Sequence, residues 1–114
     1  MSDNTARIRE LNDEFRKLRT PPGRNSGKVI ITSGVQNTLG KTVLEALDLV
    51  ANFDAFTVDN DPHGEHDFGT IEIENQQLFW KNDYYNASMA AGSEDPSDPT
   101  QTTRVLTLML TEEY

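Results

Sequence analysis

The first apolar residues of the chain recur at the spacing of one helix face. Four of them lie three or four positions apart, with charged residues between them: Ile8, Leu11, Phe15 and Leu18. This spacing predicts an amphipathic helix over residues 3–19. Within it, Asp13 and Lys17 stand four positions apart, which favours a helical ion pair. The following residues 20–27 contain Pro21-Pro22-Gly23, which ends the helix, and have the composition of a linker.

A strand and a second helix are predicted next. Residues 28–32 form a β-branched run between glycines, which is typical of a strand. Residues 39–53 then show helical periodicity, with Asn37 or Thr38 as the expected N-cap. The buried stripe of this helix is expected to consist of four residues: Leu39, Val43, Leu47 and Val50.

A β-hairpin is the clearest short-range prediction. Residues 69–74 alternate polar and apolar side chains, and residues 78–85 follow after an expected Asn75-Gln76 turn. The register set by that turn puts four apolar residues on one face, with Ile73 opposite Leu78 and Ile71 opposite Trp80. It also places Glu72 diagonal to Lys81 on the outer face, where the two charges would attract.

The remaining pattern completes an α+β prediction. Residues 54–69 and 86–103 read as loops, because Pro and Gly interrupt the first and Asp-Pro pairs interrupt the second. Residues 105–110 fit either a strand or a helix, and we predict a strand because their leucines alternate with β-favouring residues. The expected fold is a small antiparallel sheet of three to four strands with two helices packed on one face. An amphipathic helix and linker (1–27) would precede a single acidic domain (28–114).

Composition restricts the class of protein. The chain has 114 residues and no cysteine, which suits one domain and excludes disulfides, thiolate nucleophiles and cysteine-based zinc sites. It has no apolar run of membrane-spanning length, and the first residues are too polar for a secretory signal. We therefore expect a cytoplasmic protein that does not enter a membrane.

The charge is strongly asymmetric along the chain. Residues 1–28 carry seven bases and four acids, whereas residues 29–114 carry three bases and fifteen acids, a net charge of −12 in an overall −9. Such an acidic body repels a phosphate backbone, which argues against direct nucleic-acid binding. It would instead attract a protein with a basic surface. A purely solubilising role for the charge is the alternative.

A glycine-rich run resembles a phosphate-binding loop but has the wrong spacing. Residues 34–42 follow a predicted strand and open a helix. The P-loop pattern needs four residues between its glycines, whereas five separate Gly34 from Gly40. An extra residue misplaces the backbone N–H groups that must surround the phosphate. The run is therefore interpreted as a strand-to-helix turn.

The loop after the second helix carries the candidate chemistry. It begins like a calcium loop, but Thr70 stands where a closing glutamate is needed. A non-canonical divalent-cation site would use Asp59, Asp61 and Glu65, and no other cofactor is expected. Without a cation, these carboxylates would accept backbone N–H groups in turns.

The two histidines lie in the same loop and are the catalytic candidates, together with the carboxylate between them. His63, His66 and Glu65 would supply a general base for water activation. The competing interpretation is that His66 and Asp67 lock the loop through hydrogen bonds. The aromatic residues 79–85 are explained by packing, with Tyr84 or Tyr85 exposed at an interaction surface.

Several motifs together resemble a known bacterial family. They are DNDPHGEHDFG (59–69), FWKNDYY (79–85), DPTQTTRVLTLML (98–110), the terminal Glu113-Tyr114, and Leu11 to Arg16 near the start. The chain is similar over residues 10–114 to the domain-of-unknown-function family 3768. The resemblance implies a short protein carried on plasmids and other mobile elements, sometimes near anti-restriction genes.

The preferred hypothesis is a small acidic interaction protein that mimics nucleic acid and inhibits a nucleic-acid-acting defence enzyme of the host. Nine residues are the expected partner contacts: Asp59, Asp61, Glu65, Asp67, Tyr84, Tyr85, Glu94, Asp95 and Asp98. The alternative is a divalent-metal-binding protein or His-carboxylate hydrolase built on residues 59–69.

Overall fold

The computed structural model describes residues 4–18 and 27–114. Its elements, in chain order, are α1 (Thr5–Leu18), β1 (Gly27–Ile31), α2 (Ser33–Leu39), a 3-10 turn (Gly40–Thr42), α3 (Val43–Ala51), β2 (Phe68–Ile73), β3 (Gln76–Tyr85), β4 (Thr103–Leu110) and a second 3-10 turn (Thr111–Glu113). The helix predicted over residues 3–19 and the strand predicted over 105–110 are confirmed within these bounds. Residues 20–26 of the predicted linker lie outside the described residues.

The four strands form one mixed sheet in the order β1-β4-β3-β2. The predicted α+β class and the strand count are confirmed. The β2–β3 and β3–β4 pairs are antiparallel, but β1 runs parallel to β4, with Val29 beside Leu106. The prediction of an entirely antiparallel sheet is therefore wrong for the β1–β4 pair. Local pattern identifies a strand, whereas its distant partner is set by the packing of the whole chain.

The hydrophobic core lies between the sheet and the helices. The cluster of buried apolar residues draws on α1, both later helices and three strands: Phe15, Val35, Leu39, Ala46, Leu47, Val50, Ile71, Leu78, Trp80, Leu106 and Leu108. Trp80 is fully buried, as its predicted face requires. Phe15 is also fully buried, so α1 contributes directly to this core. Leu18, predicted on the apolar stripe of α1, is instead exposed.

The single helix predicted over residues 39–53 is wrong in its start: within that range the α-helix is α3 (Val43–Ala51), and a separate helix, α2 (Ser33–Leu39), precedes it. The N-cap of α2 is Thr32, whose hydroxyl accepts a hydrogen bond from the Val35 N–H at 3.3 Å, so the predicted Asn37 or Thr38 cap is wrong. Gly40, at φ 54°, then breaks the helix before α3. Residues 33–39 are helical and form no phosphate-binding loop, which agrees with the rejection of that motif.

The hairpin turns one residue earlier than predicted. Glu74 and Asn75 both have positive φ, 52° and 64°, which matches the two-residue turn that the twist of a hairpin favours. Ile71 therefore pairs with Leu78, and Gly69 pairs with Trp80. The register moves by two positions, so the four apolar residues keep their common face.

The predicted proximity of Glu72 and Lys81 is lost with that register. Glu72 stands opposite Gln77, and Lys81 stands opposite Phe68. Lys81 instead forms an ion pair with Asp83 of its own strand at 3.1 Å. Both partners are partly exposed, so this pair contributes little to stability.

A carboxylate near the C-terminus ties the end of β4 to the start of α2. Glu113 Oε1 accepts hydrogen bonds from the Thr32 hydroxyl at 2.7 Å and from the Leu110 N–H at 2.8 Å. Its carboxylate also lies against Gly34, where a Cβ would be 2.7 Å from an oxygen. The Thr32 hydroxyl, followed by the Leu110 N–H, lowers the pKa of Glu113, because both bonds favour the ionised form.

We expect the stabilising effect of Glu113 to disappear in acid. A carboxylate with a lowered folded-state pKa stabilises the fold above its unfolded pKa, and that contribution is lost as the pH falls through the folded value. At pH 7, Glu113→Gln should unfold at lower urea concentration than wild type, and this difference should be smaller at about pH 3, below the unfolded-state pKa of a glutamate. The matched control is Glu112→Gln on the exposed side of the same turn. A difference between Glu113→Gln and wild type that is equal at both pH values would contradict this role.

Candidate functional site

Asn12 of α1 is the centre of a buried polar cluster. Its Nδ2 donates to the Tyr84 hydroxyl oxygen at 2.7 Å and to the Glu65 carbonyl at 3.0 Å. Its Oδ1 accepts from Arg104 Nε at 2.7 Å and from Asn82 Nδ2 at 3.3 Å. Asn12 is fully buried, so these bonds replace the water that its amide would otherwise bind. One side chain thus joins α1, β3, β4 and the loop before β2.

Arg104 extends this cluster to the loop between β3 and β4. Its second guanidinium nitrogen donates to the Pro96 carbonyl, and the guanidinium lies 5.3 Å from the centre of the Tyr84 ring. Tyr84 in turn donates its hydroxyl proton to Glu65 Oε1 at 2.8 Å. Burial raises the pKa of Tyr84 and lowers that of Arg104, since both charged forms lose water. The two loops, at Glu65 and Pro96, are therefore fastened to one buried cluster.

His66 forms the second attachment of its loop to α1. Its Nδ1 lies 2.9 Å and 3.1 Å from the two carboxylate oxygens of Asp13, and its backbone N–H donates to Asp61 Oδ1 at 3.1 Å. The imidazole stacks on Phe56 with a centroid distance of 3.7 Å and an interplanar angle of 4°. His66 also has φ 57°, a left-handed conformation that needs support from its surroundings. These contacts fix the ring in place.

Arg16 connects Asp13, the partner of His66, to the end of α3. Its guanidinium donates to the carbonyl oxygens of Val50, Ala51 and Phe53 and so closes the end of α3. It also pairs with Asp13 at 2.8 Å. The predicted Asp13–Lys17 pair is therefore wrong, because Asp13 is engaged by Arg16 and His66.

The residues named for a cation do not converge. Asp59 is exposed, Asp61 is buried against the His66 backbone, and the Glu65 carboxylate accepts from Tyr84. Over residues 4–18 and 27–114, no group of three or more His, Asp or Glu side chains is arranged to hold a metal ion.

The catalytic candidates are also separated by the structure. His63 is exposed, whereas His66 is held between Asp13 and Asp61, whose Oδ2 lies 3.7 Å from its Nε2. This arrangement suits a structural role in which His66 holds the loop in place. The partners of His66 are Asp13 and Asp61, whereas the sequence had suggested Asp67. The Asp67 side chain lies nearby without a bond to His66, and burial, followed by the charge of Glu65, raises its pKa.

The two acidic loops lie at the same end of the sheet. Residues 54–67 lead into β2, and residues 86–102 connect the end of β3 to the start of the antiparallel β4. We call this end the loop end. Its two loops contain eight acids and no lysine or arginine. Two bases outside the loops contact them: Arg9 of α1 donates to the Gly64 carbonyl at 3.0 Å, and the buried Arg104 of β4 donates to the Pro96 carbonyl.

The expected partner contacts differ in their accessibility. Asp59 and Glu94 are exposed, while Tyr85 at the end of β3 is half-buried. Asp95 and Asp98 shape their loop: Asp95 accepts from Ser97, and Asp98 accepts from Thr100 and Gln101.

The hydrogen bonds that Asp98 accepts within its loop favour its ionised form. The side-chain bonds from Thr100 and Gln101 lower the pKa of Asp98. Asp61, by contrast, is buried, and Tyr84 is half-buried with its hydroxyl engaged in the Asn12 cluster.

A surface groove opens beside His66. It has a volume of about 420 Å³ and lies between the second half of α1 and the segment after α3. We call it the α1–α3 groove. The described residues that line it are Asp13, Arg16, Lys17, Ala51, Asn52, Phe53, Asp54, Phe56 and His66.

Sequence reasoning missed the buried polar residues, although the sequence carried signals of them. Asn12 follows Ile8 by four positions and precedes Phe15 by three, so it lies on the apolar stripe of α1. Arg104 alternates in step with Leu106 and Leu108 and therefore shares their inner face. A polar side chain on a buried face needs hydrogen-bond partners, which is the physical reason to have looked for a cluster.

These features define a class: a small α+β protein in which two loops at one end of a mixed sheet are fastened to a helix by buried polar contacts. The chain belongs to the family described as Protein of unknown function (DUF3768), whose model matches residues 31–113. The resemblance seen in the sequence is thus confirmed, while the Leu11 to Arg16 motif lies before the matched residues. No curated protein and no solved structure matches the chain. None of the described helices is long and apolar enough to cross a membrane.

Proposed function

We propose that this protein is an acidic interaction protein whose loop end binds a basic surface on another protein. The observation that supports the proposal is the joint placement of residues 54–67 and 86–102, with eight acids and no lysine or arginine, at one end of the sheet. Charges gathered at one end produce a directional field that attracts an oppositely charged surface.

The rigidity of the loop end favours binding. Both loops are attached to the Asn12 cluster through Glu65 and Pro96, so their acids keep defined positions. A surface that is already ordered loses less conformational entropy when it binds. The exposed carboxylates Asp59 and Glu94 are the best-placed contacts, and Asp98 follows Glu94 in the same loop on an ordered turn.

The partner that fits this charge is a protein that itself binds nucleic acid. A surface built to neutralise phosphates presents lysines and arginines, and a rigid array of carboxylates competes for the same residues. We therefore propose that the protein occupies the nucleic-acid-binding surface of a host defence enzyme and blocks it. The mobile-element setting implied by the family resemblance supports this choice of partner.

The electrostatic part is tested with a labelled nona-arginine peptide. We expect measurable binding by fluorescence anisotropy that weakens about tenfold between about 50 mM and about 200 mM salt, because exposed charges are screened. Asp59→Asn/Glu94→Gln should weaken binding about threefold or more. The matched control, Glu72→Gln/Glu74→Gln, removes two exposed charges near the other end of the sheet and should have a smaller effect. Equal effects of the two pairs would contradict a loop-end site.

The inhibitory part needs a functional readout. DNA cleavage by purified restriction enzymes of a host that carries such mobile elements should slow when the protein is added. Excess substrate DNA should relieve the inhibition, because the substrate and the protein would compete for one surface of the enzyme. Wild-type inhibition that persists unchanged in Asp59→Asn/Glu94→Gln would rule out the loop end as the mimic.

A further inference from the structure

The α1–α3 groove has the size of a small-molecule site, and its lining includes neither Asp59 nor Glu94, the exposed loop-end acids used above. Its volume of about 420 Å³ falls within the range of about 300–1,000 Å³ that is typical of ligand pockets. Phe53 and Phe56 supply apolar surface, and they also pack edge-to-face against each other with centroids 4.8 Å apart. A ligand in this groove would thus meet an aromatic wall that is already rigid.

The inner polar groups of the groove are already engaged. Arg16 donates to three carbonyl oxygens at the end of α3 and to Asp13. Asp13 also accepts from His66. These residues form a fixed base whose charges largely satisfy one another.

The outer polar groups of the groove are different. Lys17 on α1 and Asp54 after α3 are both exposed, and neither has an ion-pair partner among the described residues. They carry opposite charges on the two elements that border the groove. A ligand that bears one positive and one negative group would match both of them at once.

We propose that the α1–α3 groove binds a small zwitterion, an α-amino acid with an aromatic side chain. Lys17 would contact its carboxylate, Asp54 its ammonium group, and Phe53 with Phe56 its side chain. This inference does not depend on Asp59 or Glu94, although Asp54 belongs to the same acidic segment.

The ligand chemistry is tested with three related compounds. L-Phenylalanine should shift the NMR signals of residues that line the groove in a saturable titration. N-Acetylphenylalanine lacks the ammonium charge and phenylalaninamide lacks the carboxylate, so each should bind about three- to tenfold more weakly. Absence of binding by L-phenylalanine, or equal binding of all three compounds, would overturn the proposal.

Two variants test which residue of the groove contacts each charged group of the ligand. Asp54→Asn should weaken L-phenylalanine binding but leave N-acetylphenylalanine unaffected, because the lost contact is one that this compound never makes. Lys17→Gln should likewise weaken L-phenylalanine binding but leave phenylalaninamide binding unaffected, because phenylalaninamide has no carboxylate for Lys17 to contact. Glu14→Gln, an exposed change on the same helix, is the control and should leave all three affinities unchanged. Nona-arginine binding is measured in parallel, so failure of this site is distinguishable from failure of the loop end.

Discussion

Replacing Asn12 by alanine is expected to destabilise the protein by about 3–5 kcal/mol, a large fraction of the total for a domain of this size. The substitution removes the amide nitrogen that donates to Tyr84 and Glu65. It also removes the amide oxygen that accepts from Arg104 and Asn82. The Arg104 guanidinium would then remain buried without its Asn12 contact. Urea unfolding followed by circular dichroism measures the loss of free energy.

The control separates hydrogen bonding from packing. Asn12→Leu fills a similar volume but restores no hydrogen bond, so we expect it to remain strongly destabilised. Glu14→Ala, exposed on the same helix, should change the free energy of unfolding by no more than about 0.5 kcal/mol. Wild-type stability in Asn12→Leu would show that the polar cluster is dispensable.

Gly69→Ala is expected to have the second large effect. A Cβ at Gly69 would lie 2.5 Å from Trp80 Nε1 and 2.6 Å from Cε2, distances that no real Cβ maintains. Trp80 is fully buried and packs edge-to-face on Phe53 and Phe56, so the indole cannot move aside without disturbing the core. Overpacking of this kind costs about 1–3 kcal/mol, sometimes more. Chemical denaturation with tryptophan fluorescence reports both the stability and the indole environment.

The matched glycine for this test is Gly92. A Cβ there meets only the Tyr84 carbonyl at 3.8 Å, an ordinary contact. Gly92→Ala should therefore retain wild-type stability and the native Trp80 emission. A similar result for Gly69→Ala would mean that the sheet adjusts easily beneath the indole.

The parts of the fold that could be predicted are those set by short-range periodicity. Apolar spacing located α1, the inner face of the hairpin and β4, because burial of one face imposes a fixed period on the sequence. The hairpin register was wrong because Glu74 and Asn75 adopt positive φ without a glycine to signal it. The parallel β1–β4 pair could not be read locally, since its partners Val29 and Leu106 lie 77 positions apart.

The candidate site was less predictable than the fold. Sequence reasoning named Glu65, His66 and Tyr84, but it missed Asn12 and Arg104, the buried residues that hold two of them in place. Those two residues come from opposite ends of the chain, so their meeting depends on the complete tertiary structure. Charge alone pointed to the acidic loops, but only the strand order brought those loops to one end of the sheet.

The position of β4 between β1 and β3 has a consequence for biosynthesis. β4 is the last of the four strands to leave the ribosome, yet it occupies an inner place in the sheet. Until it arrives, β1 has no neighbouring strand to pair with, and the inner side of the β2–β3 hairpin stays open. The sheet therefore cannot assemble until β4 has been synthesised, and strand edges that are unpaired until then are prone to aggregation.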